Sequence, residues 1–222
     1  MITKLPSPFD DLLFVSRIAR ELNAYINNPM LMKPVTVLHG YPGLGKTEFA
    51  RRFAETFGFN HQYLPMCEHK RDFGNKKFQD KLLLDRHTMA VDLNRLLEDN
   101  PDSRKVLDCV HVYDEFHDLT LSQQDYFKTL FDSLLKRRTD DRVIICLNTT
   151  SKRDVKKQLS EAIFSRSHHI NFNVEMREQK QHARDLEEHF PHLSRDVIAN
   201  LLPDMRKICS KNAHMKMMKE YS

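Results

Sequence analysis

The chain has 222 residues, a length that suits one large domain or a core with a small appendage and that permits a real hydrophobic core. Charged residues make up 30% of it, Trp is absent, and no apolar stretch approaches membrane-spanning length, which excludes a membrane protein as the expectation. Four widely spaced cysteines, Cys67, Cys109, Cys146 and Cys209, argue against a disulfide scaffold and for a reducing, cytoplasmic setting, while a net charge of +4 favours an anionic partner without choosing one.

From the N-terminus, Met1 to Phe14 carries acids and prolines and lacks the apolar segment of a signal peptide. Leu12, Val15, Ile18, Ala19, Leu22 and Ile26 lay an apolar stripe that predicts a helix from about Leu12 to Asn27. Pro29 and Pro34 bracket the connection to a buried strand, Val35 to His39. Then comes the strongest signal. The chain has five glycines, and three of them fall within Gly40-Tyr41-Pro42-Gly43-Leu44-Gly45-Lys46-Thr47. This run fits G-x-x-x-x-G-K-[ST], and a helix follows from Glu48 to Ala54. Glycines let backbone N–H groups converge on phosphate, and the helix N-terminus adds partial positive charge. In that setting Lys46 reaches the β- and γ-phosphates of a nucleotide and Thr47 holds Mg²⁺.

A second strand is expected at His61 to Leu64, then a loop from Pro65 to Lys77 and a helix from Asp80 to Leu97. Between His69 and Arg86 six cations (Lys70, Arg71, Lys76, Lys77, Lys81 and Arg86) face three Asp. Such a run is either a solvated face or a track for nucleic-acid phosphates. Phe73 and Phe78 give little aromatic interleaving, which favours duplex or primed DNA over stacked single strands. Pro101-Asp102-Ser103 is a turn.

Val110 to Tyr113 reads as a buried strand ending in Asp114 and Glu115. Paired carboxylates at the C-terminal edge of a parallel sheet lie where ligands bind. Asp114 is suited to complete a Mg²⁺ shell and Glu115 to polarise an attacking water, alternation along the strand separating their tasks. A helix from Leu121 to Arg138 precedes the most apolar strand, Val143 to Leu147, which ends at Asn148. That amide is either a partner for the water or the γ-phosphate, a role Thr149 or Thr150 could share, or a cap. A helix from Asp154 to Phe164 leads to Arg166, at the sheet edge, and to a last short strand, His169 to Phe172. Three helices are expected beyond it: Glu178 to Phe190, Ser194 to Leu201 and Asp204 to Tyr221. Buried strands alternating with helices predict an α/β fold, a parallel sheet sandwiched by helices over residues 1–174, followed by a small all-helical piece over 175–222. The twelve histidines lack metal-ligand spacing, so no structural zinc is expected.

Taken together, these motifs resemble those of the AAA+ P-loop ATPases, and most closely the replication clamp loaders, in particular a phage-type large subunit, from Pro6 to about Tyr221. Leu5 to Leu13 looks like the segment preceding the adenine pocket. Gly40 to Thr47 matches Walker A, Val112 to His117 looks like Walker B, and Asn148 falls at sensor 1. Ala162 to Ser167 resembles the serine–arginine–cysteine segment, with Ser167 in place of the cysteine. Leu202 to Lys207 resembles the start of the lid helix, with Pro203 where a glycine is common. The resemblance implies ATP and Mg²⁺ as cofactors. It implies a phosphate-loop site reaching into Glu48, Glu115 as catalytic carboxylate, Arg166 as an arginine finger acting on a neighbouring subunit, and Arg206 contacting phosphates in cis. It further implies a ring or open ring of self or homologous subunits, DNA, a sliding clamp or helicase as cargo, no membrane, and phage or viral origin. Clamp loaders carry a collar domain after the lid. Here the chain stops there, so the expectation is that the ATPase tier alone holds the assembly, that a partner supplies the collar, or that the protein has another task. Two other functions share the core-plus-lid pattern: a helicase loader or transposition-type regulator, and a slowly hydrolysing structural module. Threading of protein substrates would need a Gly-flanked aromatic pore loop, for which only Phe73-Gly74 and Phe78 offer themselves. A simple metabolic kinase is disfavoured by Glu115 and the helical C-terminal piece.

Overall fold

A computed structural model of the chain describes residues 2–72, 107–136, 140–149, 152–174, 176–202 and 204–220. The parallel sheet expected from the sequence is present. Among the described residues its five strands are β3 (Val35–Gly40), β4 (Gly58–Pro65), β5 (Leu107–Asp114), β6 (Arg142–Asn148) and β7 (His168–Asn171), in the order β4-β5-β6-β3-β7. All are parallel to their neighbours, so the C-terminal ends of β3, β5 and β6 meet along one edge.

Side-chain alternation sorts the strands' apolar residues between two cores. Leu38, Val112, Ile144 and Cys146 face one side with helices α1 (Ser16–Asn27) and α2 (Lys46–Phe57). Val35, Val37, Tyr113, Ile145 and Leu147 face the other, against Phe127 and Phe131 of α4 (Leu121–Lys136) and Val155 of α5 (Lys152–Gln158). Phe49 and Phe53 of α2 are fully buried, each ring contributing roughly 1.5–3 kcal/mol. A third cluster, with Ala183, Leu186, Ile198 and Ile208, unites α7 (Met176–Glu187), α8 (Arg195–Leu201) and α9 (Met205–Glu220).

Three local expectations need correction. The first helix starts at Ser16, not Leu12, because Leu13–Val15 forms a strand, β2, pairing antiparallel with β1 (Ile2–Lys4). An apolar stripe continuous with a helix concealed that change of period. The expected helix from Asp154 to Phe164 is two, α5 and α6 (Glu161–Phe164). The buried Gln124 side chain interrupts it, donating to the Gln158 carbonyl at 2.7 Å and accepting from the Ser160 N–H at 2.8 Å. The segment after Pro65 opens with a short helix, α3 (Met66–His69), rather than loop. The helix expected from Asp80 to Leu97 lies outside the described residues.

Candidate nucleotide site

The loop between β3 and α2 is shaped by glycines in the left-handed region. Gly43 has φ +82° and Gly45 φ +80°, where a Cβ would be strained. Gly45 is the N-cap of α2, so Lys46 and Thr47 begin the helix. Lys46 is 4% exposed, and its ammonium donates to the carbonyls of Gly40 at 3.0 Å and Tyr41 at 2.7 Å. Burial pushes its pKa down to about 8, against smaller raising effects of Cys146 and Asp114. A desolvated cation whose hydrogen bonds go to neutral carbonyls attracts an incoming anion strongly.

β5 delivers Asp114 to the same edge. Asp114 Oδ1 accepts from Thr47 Oγ1 at 3.0 Å and from the Glu115 N–H at 2.9 Å, and Oδ2 accepts from Tyr63 Oη at 2.8 Å. Glu115 then takes φ +52°, the only non-glycine residue with positive φ among those described, and opens a 3₁₀ turn over Phe116–Asp118. Such a conformation costs about 1–3 kcal/mol and is retained where surrounding contacts impose it. It is this reversal, beyond simple strand alternation, that separates the Glu115 side chain from Asp114. The Cys67 thiol, at the start of α3, lies beside the Glu115 carboxylate, which, with a smaller effect of burial, pushes the thiol up to about 11. Cys67, Glu115 and Asp118 bring their ligand-type atoms within 4.8 Å of one another.

Asn148 ends β6 opposite Gly40, and the Thr149 N–H donates to the Gly40 carbonyl at 3.1 Å. A cleft of about 520 Å³ opens between this edge and the C-terminal helices, lined by Pro42 to Glu48, Asp114, Glu115, Asn148 and Arg206. Leu12, Leu13, Phe14, Phe190, Met205 and Cys209 make its apolar end. Glu48 reaches it, but its carboxylate is tied to Arg52 Nε at 2.6 Å and Arg51 Nη2 at 3.0 Å. Arg206 is 72% exposed, its Nε 3.6 Å from Asp204 Oδ1.

Not every expected residue joins this cleft. Arg166 is not among its lining residues. Its Nε pairs with Asp132 of α4 and its Nη1 donates to the Ala162 carbonyl at 2.8 Å. Of the basic segment, Lys70 pairs with Asp118 at 3.0 Å and Arg71 is exposed, while Lys76, Lys77 and Lys81 lie outside the described residues. Three contributors had no place at the site in the sequence reading. Tyr63 and Cys67 could have been found only by knowing that β4 lies beside β5. Asn173, whose Oδ1 accepts from the Tyr41 N–H at 2.7 Å, follows the last strand with no motif to mark it. No helix among the described residues is long and apolar enough to cross a membrane.

Residues 36–174 match the family described as ATPase family associated with various cellular activities (AAA). The chain has no match among curated protein sequences. Domain III of the replication initiation protein DnaA from Thermotoga maritima is similar in fold, with a TM-score of 0.54 at 16% identity, over 91% of this chain and 82% of that one. So is a replication initiator DnaA bound to AMPPCP and single-stranded DNA, with a TM-score of 0.55 and 17% identity over 90% of this chain. AMPPCP-bound DnaA from Aquifex aeolicus gives 0.52 at 17% identity, again over 90%. The chain spans 60% of the length of each of these last two.

Proposed function

The chain belongs to the AAA family of ATPases, and from that premise we propose that it binds ATP with Mg²⁺ in the cleft beside the glycine loop and hydrolyses it as one subunit of a ring or open ring acting in DNA replication. The observation that carries this reading is the 3.0 Å contact of Thr47 Oγ1 with Asp114, next to the desolvated Lys46. Two hard oxygen donors at a phosphate-loop mouth fit Mg²⁺, which keeps several waters and takes its other ligands from substrate phosphates. Thr47 and Asp114 would hold the ion, which when bound neutralises charge on the transferred phosphoryl group. The loop N–H groups and Lys46 orient the phosphates. Glu115 is the base that takes the proton of the attacking water, and Asn148 orients that water. Arg206 reaches the phosphates from α9. Arg166, on another part of the surface, serves the site of an adjoining subunit, where a guanidinium stabilises transition-state charge.

The fold likeness to replication initiators supports a replication setting, and the basic segment of Lys70, Arg71, Lys76, Lys77 and Lys81 supports DNA, duplex or primed, as partner. Within that setting the order of motifs around Arg166 and Arg206 favours a clamp-loader-like task, the loading or remodelling of a ring protein on DNA. Nucleotide titration of the wild type and Lys46→Ala, with sizing in the presence of a non-hydrolysable ATP analogue, tests the reading. Loss of binding in the variant and nucleotide-dependent assembly of the wild type are expected. Equal affinities would remove the site from the account.

A further inference from the structure

We propose that Tyr63, on the strand beside the carboxylate pair, is a positioning residue that fixes Asp114 for the metal–nucleotide complex; this rests on the function proposed above. β4 and β5 pair in parallel with Tyr63 opposite Val112 and Pro65 opposite Asp114. Tyr63 therefore sits two residues behind the acid's partner, on the same face as that partner, and its phenol extends toward the C-terminal edge to reach Asp114 Oδ2 at 2.8 Å.

The division of bonds on Asp114 makes this contact consequential. Thr47 Oγ1 and the Glu115 N–H both bind Oδ1, whereas Tyr63 is the donor on Oδ2. The terminal torsion of a carboxylate is broad, so its plane is held only as firmly as the donors hold its oxygens. A donor on each oxygen holds it from two sides. Of the three donors, Thr47 is the one the loop also commits to the metal. With its hydroxyl so engaged, Asp114 keeps the Glu115 N–H and Tyr63. Partners of ligating carboxylates change metal affinity by about 10–100-fold when removed. The ring is 40% exposed, so replacing the phenol by phenyl changes little in the core.

The test uses the full chain and the variants Tyr63→Phe, Asp114→Asn and Lys46→Ala. Affinity for a fluorescent ATP analogue is measured in EDTA and across a Mg²⁺ series, and Mn²⁺ uptake by the analogue complex is followed by electron paramagnetic resonance. Tyr63→Phe is expected to raise the Mg²⁺ concentration for half-maximal tight binding by roughly tenfold or more, with the EDTA affinity unmoved. Mn²⁺ affinity should fall in step. If Asp114→Asn shifts the metal dependence and Tyr63→Phe does not, the positioning role is wrong while the site stands. Equal losses with and without metal in Tyr63→Phe would mean a merely structural side chain, and the proposal falls. If Asp114→Asn itself leaves the metal dependence unchanged, the underlying metal assignment is overturned and the role of Tyr63 goes with it.

Discussion

The backbone N–H of Met205 donates to the carbonyl of Gly43 at 3.1 Å, so the first turn of α9 is fastened to the glycine loop itself. Asp204 reinforces the joint. It caps α9 through the N–H groups of Arg206 at 3.1 Å and Lys207 at 3.4 Å, and its Oδ1 would lie 2.1 Å from a Cβ at residue 43. The glycine loop and the helix that carries Arg206 are thereby joined directly.

Gly43→Ala should break this joint. Alanine at φ +82° costs about 1–2 kcal/mol, and its methyl collides with Asp204. We expect lower stability in urea, faster amide exchange in the first turn of α9, and weakened nucleotide binding. Exchange in α9 unchanged from the wild type would show that the helix does not depend on this contact.

Lys46 predicts two opposite pH dependences. Burial holds its folded pKa near 8, whereas the ordinary value is 10.5. Between those values the unfolded chain carries a proton that the folded chain has released, so this group's contribution makes the empty protein more stable as pH rises through the window. Affinity for an anionic nucleotide falls over the same range, because the ammonium that attracts it is lost. Denaturation and nucleotide titrations from about pH 7 to 10 should show both slopes. Lys46→Met should flatten the stability slope, and a Met variant that keeps it would assign the titration to another group.

Glu115→Gln should retain nucleotide and lose turnover by about 10²–10⁴-fold, the scale of a positioned base. Mixed with Arg166→Ala, it should regain activity, since each variant supplies what the other lacks at a shared interface. The pairing of Arg166 with Asp132 within one subunit adds a control. Asp132→Asn frees the guanidinium and should leave complementation intact. Failure of the two inactive variants to complement, in oligomers shown to be mixed, would return Arg166 to its contacts within the subunit.

Cys67 makes a finer prediction. Its thiol lies beside the Glu115 carboxylate at the wall of the cleft and restrains it there. Cys67→Ala should raise basal ATP turnover by about fivefold, the equivalent of one ordinary hydrogen bond, and Cys67→Ser should not. Identical rates in the two variants would show that the donor at this position does not restrain Glu115.

The glycine loop and the acid pair were legible because the role proposed for them calls for particular residue types at short spacing. Gly43, Gly45, Lys46 and Thr47 announce themselves, as does a buried strand running into Asp114 and Glu115. The sheet was legible from near-continuous apolar runs such as Val143 to Leu147. What escaped depends on which strands are neighbours. Nothing local marks Tyr63 as a partner of Asp114, 51 positions away. The break between α5 and α6 escaped for the same reason, since the Gln124 amide that causes it belongs to α4. The β1–β2 hairpin was missed because Leu13 and Val15 fit a helical stripe as well as a strand.

Phe14 meets Phe172 edge-on at 5.4 Å, and β3 lies between β6 and β7, all three partners coming late in the chain. During synthesis the central strand and Phe14 leave the ribosome well before β6, β7 and Phe172. Such non-local pairings carry a loop-closure cost before any contact repays it. The central strand can therefore complete its pairing only after β7 has been made, and the Tyr41 N–H of the glycine loop meets Asn173 later still.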